Sequence, residues 1–216
     1  MKRRNLILLL GGASSGAMSA GTGAFSSVEA ERGVEVNVVD DDEAYLGLEA
    51  ESEITAFGRS TDIVEIRNSF TDELTLTVSV DETNRVVEDI TVAGEEPPTE
   101  LTLAPGDDEW VAVTCEQIGE ASFILQFSGA TGSASVEKTR EFDEIPVSPV
   151  DKVEFKGNGN GSVHVHGEFT DLPVTVNGGS RTVTITSNNS GKRPISPEGG
   201  EPINSVQIGG EDYVRD

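Results

Sequence analysis

Apolar residues recur at every second position along most of this chain. In residues 73–80 (ELTLTVSV), Leu74, Leu76, Val78 and Val80 fall on one side, and Thr75, Thr77 and Ser79 on the other. That is the alternation of a half-buried strand. Shorter runs with the same period lie at residues 33–39, 62–68, 85–92 and 100–104. Residues 109–115 (EWVAVTC) and 121–127 (ASFILQF) are apolar on both faces and are expected as central strands. Residues 133–142 carry more charge and are expected at an edge, where charge discourages sheet-to-sheet pairing. Turn residues punctuate the runs, and no helical period competes with them. The pattern predicts an all-β fold, an antiparallel sandwich of jelly-roll or Ig-like type, with Trp110 as its core anchor.

The texture changes after residues 145–149 (IPVSP), which read as an extended linker. Glycine and asparagine rise, and the strand signals shorten to residues 152–156, 162–166, 174–176, 182–186, 205–208 and 211–214. The last two flank Gly209-Gly210, a hairpin turn by composition. The expected organisation is an export signal over residues 1–24, a sandwich over 25–144, the linker, and a small β module over 150–216.

The signal rests on Lys2, Arg3 and Arg4, followed by the apolar run 6–10 and a tail of small residues. Arg3-Arg4 also fits a twin-arginine pattern. Small residues Thr22 and Ala24 suit cleavage between Ala24 and Phe25. The alternative is retention, with the uncleaved signal as the chain's only tie to a membrane.

Charge narrows the partners. The 216 residues carry a formal net charge of −24, from 39 acidic against 15 basic side chains. Nucleic acid and anionic lipid surfaces would be repelled. No Lys or Arg occurs between Arg85 and Lys138. Such a surface repels itself unless cations screen it, so a high-salt setting is expected. The single cysteine, Cys115, cannot form an intrachain disulfide, and its alternation with Val111 and Val113 predicts burial.

Candidate chemistry is sparse. Asp40, Asp41, Asp42 and Glu43 offer oxygen donors for Ca²⁺, the one cofactor considered; a solvated acidic face is the alternative. His164 and His166 sit two apart in a strand and therefore share a face, close enough to share a metal. No third ligand is evident, and two exposed polar residues opposite a valine face is the alternative. Asn160 and Asn188 open glycosylation sequons. No catalytic motif is present, and an enzyme is not expected.

Residues 21–27 (GTGAFSS), with residues 38–42 (VVDDD) and 44–48 (AYLGL), resemble TasA/camelysin-type exported proteins, in particular a haloarchaeal secreted family of unknown function. The resemblance spans residues 21–48 and extends in outline to Phe142, but not to residues 150–216. It implies an extracellular or cell-surface protein of archaeal type. It also implies a jelly-roll-like sandwich that builds pili, filaments or biofilm matrix when the N-terminal strand of one subunit completes the sheet of the next. Here that donor would be residues 34–39, with Val34, Val36 and Val38 as its apolar face. The expected partners are copies of itself or other surface proteins. The alternative is a monomeric surface module that binds carbohydrate or a divalent cation.

Overall fold

The computed structural model describes residues 45–157, 161–199 and 201–215. Nine strands come first: β1 (Leu46–Ala50), β2 (Ala56–Phe57), β3 (Ser60–Asn68), β4 (Leu74–Thr83), β5 (Val87–Val92), β6 (Thr99–Leu103), β7 (Asp108–Cys115), β8 (Glu120–Ala130) and β9 (Ser135–Pro146). Seven follow: β10 (Val150–Phe155), β11 (Val163–Phe169), β12 (Leu172–Val176), β13 (Arg181–Ile185), β14 (Lys192–Ile195), β15 (Ser205–Ile208) and β16 (Glu211–Val214). Among the described residues the only helical turn is a short 3₁₀ segment, Asn177–Gly179.

The strands form four sheets, ordered β1-β3-β7-β5, β6-β4-β8-β9, β10-β11-β14 and β13-β12-β15-β16. The first two enclose one apolar core and the last two another. The fold is therefore all-β, with antiparallel sheets in sandwich-like layers. The doubly apolar strands β7 and β8 are interior, and the charged β9 is an edge. The alternation that marked residues 73–80 puts Leu74, Leu76 and Val78 of β4 in the core and leaves Val80 half-buried against it. The loop at Gly209-Gly210 turns β15 into β16, with Ile208 opposite Glu211.

Phenylalanines fill the first core. Phe123 and Phe127 are buried, and Phe123 stacks on Phe142 with ring centres 5.1 Å apart. Trp110 is not the core anchor. It is half-buried on β7 opposite Glu65, on the face away from Val111 and Val113. Asn68 is buried yet fully paired: its Nδ2 donates to the carbonyls of Leu103 (2.8 Å) and Asp72 (3.1 Å), and its Oδ1 accepts from Phe70 N (2.9 Å). It thus pins the end of β3 to the end of β6 in the opposite sheet.

The chain does not pass freely from one sandwich to the other. Residues 145–149 stay packed: Ile145 and Val147 are buried in the first core, and Ser148 N donates to Ile54 O at 2.8 Å. Their alternation of apolar and polar residues lets one side stay on the sandwich while the chain advances. In return, β2 leaves the first sandwich and pairs in parallel with β11, placing Phe57 in the second core.

Candidate functional site

The sheet β10-β11-β14 gathers both histidines of the chain and three of its lysines on one face. Along β11, Val163 and Val165 are buried in the second core, while His164 and His166 point the other way and are half-buried. The glycine-rich loop 157–161 is centred on residue 159, and equal counts outward place Glu154 opposite His164 and Lys152 opposite His166. On the other flank, β14 sets Lys192 opposite His166. The hairpin is tied at its loop end by Arg215, whose guanidinium donates to Gly157 O at 2.8 Å and lies 5.4 Å from the Phe155 ring centre.

One ligating atom each from Glu154, His164 and His166 lies within 4.8 Å of the other two. His166 Nε2 is 3.4 Å from Glu154 Oε2 and makes no hydrogen bond. His164 Nδ1 is likewise buried without a partner, while its Nε2 lies 3.4 Å from Ser162 Oγ. Lys152 Nζ and Lys156 Nζ approach the Glu154 carboxylate at 2.6 and 2.8 Å. Their hydrogen bonds, with their charge behind them, hold Glu154 down at about 2, against partial burial. Loss of solvation draws His164 below its ordinary value, and the charges of Lys192 and Lys156 pull the same way. The site therefore holds an ionised carboxylate beside a histidine biased to its neutral form.

The histidine pair was legible in the sequence, and the half-buried setting replaces the exposed one expected of a plain valine-backed face. Glu154 is the third potential donor beside the histidines, and the sequence alone does not single it out. The symmetric glycine loop carried the signal, since it fixes which residue lies across from His164.

The other expected site residues separate into two groups. Val34, Val36 and Val38, the acids Asp40, Asp41, Asp42 and Glu43, the cleavage point Ala24–Phe25, and Asn160 lie outside the described residues. Asn188 is described and exposed; its Oδ1 accepts from Ser190 Oγ at 2.7 Å and from the backbone of Ser190 and Lys192. Cys115 is buried, and that burial pushes its thiol up to about 11. No helix among the described residues is long and apolar enough to cross a membrane.

No family model and no curated protein matches the sequence. Solved structures match distantly. The chaperone–tip adhesion subunit complex CsuC–CsuE, from archaic Csu pili of Acinetobacter baumannii, aligns at 12% identity, covering 76% of this chain and 93% of that one, with a TM-score of 0.30. The E. coli chaperone DraB aligns at 13% identity, covering 79% and 96%, with a TM-score of 0.32. The secreted serine protease VesC of Vibrio cholerae aligns at 11% identity, covering 74% and 45%, with a TM-score of 0.30. A likeness this distant assigns neither family nor role, and the fold stands on the strand pairing given above.

Proposed function

We propose that this chain is an exported structural protein of the cell surface, a subunit of a filament or matrix that joins copy to copy through its N-terminal strand. One observation carries the reading. The sheet β1-β3-β7-β5 ends on strands with no further sheet partner among the described residues, and β1 follows shortly after the alternating segment 34–39. The edge at β9 is guarded by Glu137, Lys138, Arg140, Glu141, Asp143 and Glu144, whereas β5 is not so heavily charged along its length. Beside β5 runs a groove of about 440 Å³, where Val87 and Ile90 meet Val80 of the opposite sheet and the Pro97-Pro98 loop.

A strand with valines at every second position suits such an edge. Main-chain hydrogen bonds supply affinity, and side chains seated between the sheets set the register. The contact is head-to-tail and does not close on itself, so it propagates. An acid-rich surface keeps the assembled subunits soluble in salt. The competing arrangement pairs residues 34–39 within the sandwich of their own chain.

A chain lacking residues 25–39 separates the two. As a donor-strand subunit it stays folded, binds a synthetic peptide of residues 25–39 in trans, and no longer polymerises. A truncated chain that unfolds, beside an intact chain that stays monomeric, would instead make the segment an ordinary strand. It would favour the monomeric surface module.

A further inference from the structure

We propose that Glu154, His164 and His166 form a binding site for one divalent transition-metal ion of the Zn²⁺ class, on the outer face of the sheet β10-β11-β14, with a fourth coordination position left to solvent or an anion. The site is built on a different sheet from the strand edges invoked for assembly and does not depend on that role.

The three ligating atoms already lie within 4.8 Å of one another, held by the cross-strand pairing of β10 and β11 rather than by loops. The 3.4 Å between His166 Nε2 and Glu154 Oε2 is long for a hydrogen bond. It matches the separation of roughly 3.3 Å that two ligands keep around a tetrahedral ion with bonds near 2.0–2.1 Å.

His164 Nδ1 and His166 Nε2 are buried and unpartnered, which polar atoms in folded proteins seldom are. A proton on His164 Nε2 facing Ser162 Oγ leaves the Nδ1 lone pair free, the arrangement in which an outer partner fixes the tautomer of a ligating imidazole.

The charge of the neighbouring lysines opposes a cation. Lys152 and Lys156 are 63% and 50% exposed on flexible stems. Ion pairs so exposed contribute little, and both ammonium groups can turn to solvent while a carboxylate lone pair takes the metal. Once an ion is bound, Lys152, Lys156 and Lys192 favour an anion at the open position. Ca²⁺ and Mg²⁺ do not fit, because they require more oxygen ligands than one carboxylate supplies and take imidazole poorly.

The test is a titration of the full chain with Co²⁺, read by the visible bands of the four-coordinate ion, followed by displacement with Zn²⁺ and with excess Ca²⁺. The site predicts saturation at a single equivalent, displacement by Zn²⁺ but not by Ca²⁺, and loss of the bands in His164→Ala and in His166→Ala. Glu154→Gln should weaken binding at least about tenfold. Circular dichroism of the variants should match the parent, because the three side chains face away from the second core. Absence of the bands, their persistence in either histidine variant, or their removal by Ca²⁺ would overturn the proposal.

Discussion

Gly58 passes so close to Thr170 that a Cβ at Gly58 would stand 2.5 Å from the Thr170 carbonyl oxygen. The contact joins residues far apart in sequence. It sits where β2 crosses from the first sandwich to the second, beside the 2.8 Å hydrogen bonds from Thr170 N to Phe57 O and from Arg59 Nε to Thr170 Oγ1. Gly58 also has φ of +62°, a conformation that other residues adopt at a cost. Gly58→Ala is therefore expected to lose about 2 kcal/mol or more, from backbone strain and the displaced carbonyl together. Urea denaturation of the variant measures it, and an unchanged midpoint would remove Gly58 as the splice between the sandwiches.

Asn68 makes a second point of joining, within the first sandwich. Asn68→Ala strips the Leu103 carbonyl of its donor in a buried position, so a loss of about 1–3 kcal/mol is expected. Asn68→Asp should be as damaging, because a carboxylate brings no donor and adds a buried charge. Thermal melts of the two variants check this; an Asp variant as stable as the parent would contradict it.

Cys115 should resist thiol reagents in the folded chain and react at once in denaturant. The buried thiol is raised from 9.0 to about 11, so the folded state keeps its proton after the unfolded state has lost it. That stabilisation is complete below pH 9 and disappears as pH rises towards 11. The alkaline fall in stability should be shallower over this window in Cys115→Ala, whatever its starting stability. Rapid labelling of the native thiol at pH 8 would count against the burial.

The acid-rich stretch between Arg85 and Lys138 predicts dependence on salt. Screening length grows from about 3 Å at 1 M to about 30 Å at 0.01 M ionic strength, and self-repulsion grows with it. The melting temperature should fall steadily as salt is removed. A midpoint constant across that range would mean that the net charge of −24 is tolerated without screening.

Strand alternation made most of the architecture legible. It placed β4, β7, β8 and the hairpin of β15 and β16 within a few residues of their observed bounds, because each repeats the period several times or ends on a defined turn. It passed over β2, which has two residues and pairs with β11 far along the chain, and β14, whose Lys192-Arg193-Pro194-Ile195 shows neither alternation nor β-branched enrichment beyond its last residue. Trp110, expected in the core, is half-buried on the outer face of β7. It alternates with Val111, Val113 and Cys115, so it had to face outward once those faced in. The histidines declared themselves by spacing, whereas Glu154 was hidden among many acids until the hairpin register singled it out.

Electron microscopy of the secreted chain at molar salt, over a range of protein concentrations, tests the central claim most directly. A structural subunit predicts filaments or fibres of regular repeat that lengthen with concentration and vanish when residues 25–39 are removed. Isolated particles of monomer size at every concentration, from a chain that is otherwise folded, would contradict it.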